Sequence, residues 1–383
     1  MNTKEVVVVG AGKIGTTIAE LLAQSGDYHV TLVDRDRAQL DLLGPAVSRV
    51  AIDVETAGDA LENLLRGKFA VLSAAPYYLT MRIADIARRA GVHYLDLTED
   101  VASTRHVHQL AQDAATAFIP QCGLAPGFIS IVANDLACRF DALDSIRLRV
   151  GALPRFPSNA LNYNLTWSTD GVINEYCEPC EAIVEGARRE VPPLEEREEF
   201  SLDGVTYEAF NTSGGLGTLC ETYLGRVREL NYRTIRYPGH AAVMKALLHD
   251  LRLRYRRQIL KDILEQAVPT TLQDVVIVFV TVSGWRRGSL VQDTYANKIY
   301  GGAVHGQTHS AIQLTTASGI CAVLDLLAAG KIPARGFVRQ EDVALDAFLS
   351  NRFGRLYATP DDRLAAAGTL AAAVSPSHQP AAR

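Results

Sequence analysis

Residues 6–26, VVVVGAGKIGTTIAELLAQSG, decide how the chain begins to fold. Four valines make the continuous apolar run that a strand buried on both faces needs. Gly10, Gly12 and Gly15 follow at the spacing G-x-G-x-x-G, and then Ile14, Ile18, Leu21 and Leu22 recur along one side of a helix. Strand, glycine turn and helix in that order are the phosphate-binding unit of a dinucleotide fold. Gly10 permits the tight turn, Gly12 lets a pyrophosphate approach the backbone, and Gly15 lets helix and strand pack closely. Lys13 and Ile14 open the helix, whose free N–H donors and partial positive charge suit phosphate. The next apolar run, YHVTLVD at 28–34, ends in Asp34, placed where an acid binds adenosine ribose hydroxyls and repels a 2′-phosphate. NAD is therefore expected over NADP. Arg35 beside it argues the other way, and a merely solvated Asp34 is the bland alternative.

The strand–helix rhythm continues through SRVAIDV (48–54), FAVLSAAP (69–76), VHYLDLT (92–98) and AFIPQCG (117–123). Such alternation predicts an α/β fold with a Rossmann-type, doubly wound parallel sheet over residues 1–122. Ligands then bind beyond the carboxyl ends of the strands. Those ends carry Asp53, the run Ser73, Ala74, Ala75, Pro76 and Tyr77, then Asp96 and Leu97, and the turn that closes at Gly127. Small residues at 73–75 suit close approach by a nicotinamide ribose.

After Gly127 the pattern changes. A helix (128–140) precedes runs that read as strands at 144–153, 161–168, 204–213, 231–238, 274–285 and 289–301. Strands in succession predict an inserted α+β domain over 123–305 with a mixed or antiparallel sheet. Residues 186–200, GARREVPPLEEREEF, read as an exposed charged connection. The apolar stretch 310–330 predicts helices over 306–350 that return to the first domain, and 365–383 reads as a flexible tail.

With 383 residues, 48% of them hydrophobic, the chain is long enough for two domains. A net charge of −5 with no basic run gives no reason to expect nucleic acid. No signal-peptide pattern opens the chain, and VVIVFVTV (275–282) is too short to span a bilayer, so no membrane partner is expected. Six scattered cysteines fit a reducing, cytoplasmic setting. Most soluble enzymes of this size are symmetric oligomers, so a homodimer or higher homo-oligomer is expected. Cys177 and Cys180 form a C-x-x-C without a second pair, and His305 and His309 share a helical spacing without a flanking acid, so no metal is expected.

Residues 230–240, LNYRTIRYPGH, raise a sharper question. Alternation puts Tyr232, Thr234 and Arg236 on one face of a strand, before Pro238 and Gly239 break it ahead of His240. Together, VVVVGAGKIG, SAAPYY (73–78), GLAPGFISIVANDL (123–136) and TIRYPGH (234–240) resemble the saccharopine dehydrogenase-like family, over most of residues 1–340. TWSTDGVINEY (166–176) and AFNTSGGLGTL (209–219) make the resemblance strongest to its lysine 6-dehydrogenase branch. The resemblance implies a Rossmann domain with an inserted substrate domain. It also implies C–N bond chemistry through an imine, with a nicotinamide cofactor as hydride carrier. Saccharopine-reducing members typically have an acid where this chain has Ala125, and an arginine near Thr212–Gly215. Their absence points to a smaller substrate. The resemblance thus implies NAD-dependent oxidative deamination of the ε-amine of L-lysine, giving 2-aminoadipate 6-semialdehyde and ammonia. Reductive condensation of the saccharopine or carboxynorspermidine type is the alternative within enzymes, and a non-catalytic NAD-binding regulator is the alternative outside them.

That reaction assigns expectations to particular residues. Arg236 is the natural clamp for a substrate carboxylate, with Thr234 on the same face; a structural ion pair is the alternative. His240, at a helix start, would act as base or orient water, or simply pack. Asp170 and Glu175 are the acids for an ammonium, Asp170 being equally placed as a helix cap. Trp167 would wall the aliphatic stem or attract the ammonium by a cation–π contact, a plain core tryptophan being the alternative. Tyr77 and Asp96 complete the expected catalytic set.

Overall fold

The computed structural model describes residues 3–41, 44–304 and 306–358; the expected tail at 365–383 lies outside them. Strands Lys4–Val9 (β1), Tyr28–Asp34 (β2), Ser48–Ala51 (β3), Ala70–Ser73 (β4), His93–Asp96 (β5) and Ala117–Ile119 (β6) form a parallel sheet in the order β6-β5-β4-β1-β2-β3, and Gly336–Phe337 adds a seventh strand beside β6. The order reverses between β1 and β4, which opens a crevice at their carboxyl ends. Val6–Val9 are buried on both faces, as their unbroken run requires.

The second sheet is mixed and eight-stranded. Strands Ala142–Pro154 (β7), Cys180–Val184 (β8), Ala187–Val191 (β9), Glu198–Leu202 (β10), Val205–Asn211 (β11), Glu229–Arg236 (β12), Asp274–Arg286 (β13) and Ser289–Tyr300 (β14) run in the order β10-β11-β12-β7-β13-β14, with β8 and β9 branching from β12. Only β7 and β12 pair in parallel.

Three expectations need correction. Residues 186–200 are not a loose connection but carry β9 and most of β10; their charges pair across strands, Arg188 with Glu181 and Arg149 with Glu198. Residues 161–168 are not a strand. Asn159 takes their backbone instead, its side chain accepting from the amides of Leu161 and Tyr163 and donating to the Tyr163 carbonyl. His309 lies in a short strand pair, Gly302–Val304 with Gln307–His309, rather than on a helix, and His305 is outside the described residues.

The helix Ala311–Ala328 starts with a capping box made by Ser310 and Gln313 and packs on the helix Lys13–Gln24. Among the described residues it is the one helix long and apolar enough to cross a membrane, and most of it is buried inside the protein. Tyr28 donates to Asp325 at 2.7 Å, which ties it to the first sheet. At its other end the Asp274 carboxylate of β13 accepts from the amides of Ala311 and Ile312. The helix therefore joins both sheets, and its first turn stands between them.

Candidate active site

A cleft of about 590 Å³ lies where the two sheets meet. Its floor on the first side is the glycine turn, Gly12, Lys13 and Ile14, with Ala74 and Leu97 from neighbouring strand ends. The local reason is steric. A Cβ on Gly10 (φ +107°) would sit 2.7 Å from the Ala74 carbonyl, and one on Gly15 only 1.8 Å from the Gly10 carbonyl, whereas one on Gly12 would meet nothing within 4 Å. Gly10 and Gly15 are demanded by packing; the space over Gly12 is open. No side chain caps this helix start, so its amides are free to face an anion. The residues present therefore fit a dinucleotide pyrophosphate. Asp34 accepts from the amides of Ala11 (2.7 Å) and Asp36 (2.9 Å), which holds it at the end of β2 beside the turn.

The opposite wall comes from β7, from β12 and from residues 165–170. Tyr232, Thr234 and Arg236 all line the cleft, as their alternation requires. Arg236 is only 2% exposed, yet no carboxylate lies within 4.0 Å of it among the described residues. Its Nε donates to the Tyr176 hydroxyl at 2.9 Å and one Nη to the Ile235 carbonyl at 2.9 Å, while the guanidinium lies over the ring of Tyr163. Arg236 lines the cleft, and beyond these two bonds its guanidinium has no protein acceptor among the described residues. Two acids line the same cleft, also without an ion-pair partner among the described residues: Glu175, and Glu99 just beyond the end of β5. Burial pushes the Glu175 carboxyl up to about 8, with Glu99 adding to the shift and Arg236 opposing it. Burial likewise raises Glu99 to about 6. Gly214 seats Glu99, since a Cβ there would meet its carbonyl at 2.8 Å. Trp167 forms a side of the cleft, its ring lying against Gly171, where a Cβ would come within 2.2 Å.

Other expected residues sit elsewhere. His240 is 1% exposed and enclosed by the rings of Tyr163, Tyr176 and Phe210, away from the cleft lining. Burial, reinforced by Arg236, lowers its imidazole to about 3, so it is neutral, and it does not line the cleft. Asp96 is buried and accepts from Tyr94, Thr98 and Gln121; it braces the strand end instead of facing the cleft. Tyr77 opens a short 3₁₀ turn outside the lining, 39% exposed. Asp170 reaches the cleft rim but is ion-paired with Lys261 at 2.6 Å, and Ser168, not Asp170, caps the helix Thr169–Cys177. Thr234 faces the cleft while donating to the Val150 carbonyl. Gly127 packs on Gly123, where a Cβ would sit 2.1 Å from its carbonyl, and it is not among the residues that line the cleft. Asp53 holds the turn after β3 through the Glu55 amide, Arg35 is exposed past β2, and Ser73, which ends β4, and Ala75 and Pro76, which follow it, do not line the cleft. Cys177 and Cys180 are buried free thiols, and no cluster of three metal-ligating residues occurs among the described residues.

Sequence reasoning missed Glu99, although it lies at a strand's carboxyl end, where ligands bind. It also missed Gln313 and Thr316, which reach the cleft only because the returning helix starts there.

The comparisons agree with this architecture. The family described as "Saccharopine dehydrogenase NADP binding domain" matches residues 6–119, and "Saccharopine dehydrogenase C-terminal domain" matches 123–356. The chain is 24% identical over 198 residues to the mitochondrial alpha-aminoadipic semialdehyde synthase of Rattus norvegicus, covering 49% of this chain and 21% of that protein. It is 24% identical over 177 residues to the saccharopine dehydrogenase [NADP(+), L-glutamate-forming] of Saccharomyces cerevisiae, covering 44% of this chain and 40% of that protein. The chain thus spans well under half the length of these curated relatives. Among solved structures, the apo saccharopine dehydrogenase (L-Glu forming) of Saccharomyces cerevisiae superposes with a TM-score of 0.74 at 17% identity, over 90% of this chain and 96% of that one. The homospermidine synthase of Legionella pneumophila in complex with NAD gives 0.65 at 13% identity, over 92% and 89%. Glycine turn, mixed sheet, returning helix and both matched regions lead to one conclusion: this chain belongs to the saccharopine dehydrogenase family, with an NAD(P)-binding domain.

Proposed function

We propose that the protein oxidises the side-chain amine of a small diamino acid, with L-lysine as substrate and NAD as cofactor. The observation that carries this is the charge of the cleft: one buried, unpaired guanidinium opposite two unpaired glutamates. Leaving a buried charge without a partner is costly, so such a site is shaped for a ligand that supplies the partners. Arg236 takes one carboxylate in a forked hydrogen bond. Among the described residues the cleft sets one unpaired guanidinium against the unpaired carboxyl groups of Glu99 and Glu175, which suits a ligand with one carboxylate and an amine better than a tricarboxylate.

NAD, when bound with its pyrophosphate over Gly12 and the amides of Lys13 and Ile14, supplies the hydride acceptor. The chain's own residues prepare the amine. An ammonium cannot release hydride until it has lost a proton, and an ordinary carboxylate is a poor base for it. Glu175, raised to about 8, is far better matched. Glu99 beside it keeps that basicity high and holds the second charge of the pair. Trp167 walls the aliphatic stem, so the reacting carbon stays away from bulk water until hydrolysis of the imine. Asp34 beside the glycine turn supports NAD over its phosphorylated form.

Absorbance of the reduced nicotinamide, followed on mixing the protein with NAD or NADP and L-lysine, L-ornithine, saccharopine or cadaverine, tests this reading. Reduction of NAD with L-lysine is the expected result. Turnover with saccharopine, and none with lysine, would replace it with a condensing enzyme.

A further inference from the structure

Behind Arg236 runs a chain of hydrogen bonds whose polarity is forced. Leu161 offers a carbonyl, which only accepts, so the His240 Nδ1 facing it at 2.8 Å carries a proton. His240 is neutral, so its Nε2 bears a lone pair, and the Tyr176 hydroxyl at 3.0 Å donates to it. With its one proton committed to His240, Tyr176 turns its oxygen to Arg236, whose Nε donates at 2.9 Å. A protonated His240 would reverse this order, strand the Tyr176 proton, and set a second cation beside Arg236.

The ends of the chain are anchored independently. The buried Glu208 carboxylate accepts from the amides of Gly239 (3.1 Å) and Ala241 (2.7 Å), fixing the turn that carries His240. Asn162 donates to the Pro238 carbonyl at 3.2 Å.

From this geometry we infer that Tyr176 and His240 are positioning residues for the carboxylate end of the substrate. Their fixed polarity aims the guanidinium of Arg236, and His240 serves as a permanent acceptor, not as the base. The inference rests on the reading that Arg236 binds a substrate carboxylate. It goes further by naming what orients that group and by removing His240 from proton transfer.

The test measures binding to the full chain loaded with NADH, which cannot accept hydride, by calorimetry, with L-lysine as the carboxylate-bearing ligand and cadaverine as the diamine without one. Tyr176→Phe keeps the ring but removes the acceptor for Nε, and should weaken lysine roughly tenfold, as expected for a hydrogen bond to a charged group. Cadaverine should change less than about twofold, because nothing in it meets the guanidinium. His240→Phe should behave like Tyr176→Phe, and His240→Gln, which restores an acceptor, should bring lysine back to within about threefold of wild type. If Tyr176→Phe does not fold, as judged by thermal melting, the two His240 variants decide the matter. Equal weakening of lysine and cadaverine, or no weakening of lysine, overturns the inference. Loss of turnover in His240→Gln with lysine binding intact overturns it too, since that would make His240 the base. Arg236→Ala separates the two levels: if it fails to discriminate lysine from cadaverine, the carboxylate reading itself falls.

Discussion

Arg233 and Arg236 stand three residues apart on one strand and live in opposite electrostatic worlds. On the outer face of the mixed sheet, Arg233 bonds Glu198 at 2.6 Å and Glu196 at 2.8 Å, and its neighbour Arg149 shares Glu198. On the cleft face Arg236 is more deeply buried and has no acid, although Glu99 and Glu175 line the same cavity. Proximity alone would predict pairing. The fold instead keeps cation and acids apart, with Tyr163 and Tyr176 holding the guanidinium from behind. Charges that pair with one another have no need of a ligand; charges held apart at the walls of one cavity do.

Glu175 puts the comparison at greatest risk. Glu175→Gln should lower kcat for lysine by about 100-fold to 10,000-fold, the usual contribution of a positioned base. In the wild-type protein kcat/KM should rise with pH as Glu175 ionises near 8, and this limb should vanish in the variant. The sign for stability is opposite. Because the folded protein holds the Glu175 proton that an unfolded chain releases near 4.5, stability is fullest below that pH and is lost as pH rises through about 8. Melting temperatures measured between pH 5 and 8 should therefore fall less in Glu175→Gln than in wild type.

Arg236 comes next. Arg236→Ala should reduce kcat/KM for lysine by roughly a hundredfold, the effect of removing one side of a buried charged contact. Arg236→Lys should raise KM for lysine while sparing cadaverine, because an ammonium lacks the fork. An equal effect on both ligands would remove the clamp.

The smallest effect belongs to the outer face. Arg233→Ala should cost about 1 kcal/mol or less, read by urea unfolding, as partly exposed ion pairs do. Its kcat/KM should stay within about twofold of wild type, since the partners of its side chain, Glu196 and Glu198, lie outside the cleft lining. A larger kinetic loss would mean that the two faces communicate, and the contrast between them would lose its meaning.

Much of this was legible from local rules. The run from Val6 to Gly26 carries its own strand, turn and helix signals within one short stretch. Alternation in residues 230–236 told which side Arg236 takes. Legibility failed where the decisive partner is distant in sequence. His240 looked like a catalytic group because histidine titrates near neutrality, but three aromatic rings from 163, 176 and 210 close over it. Asp96 ended a strand as expected, and then Gln121, 25 residues on, took its carboxylate inward. Residues 161–168 alternated like a strand, and one asparagine side chain diverted their backbone.

By itself, then, the sequence determined the α/β class, the phosphate-binding turn and the face on which Arg236 lies, because these rest on periodicity and on glycine sterics within a few residues. Only the tertiary structure decided which charges remain unpaired. That outcome depends on how Glu99, Glu175 and Arg236, carried on separate elements, are spaced across one cleft, and on what Tyr176 does behind them. No local pattern encodes a separation between elements far apart along the chain.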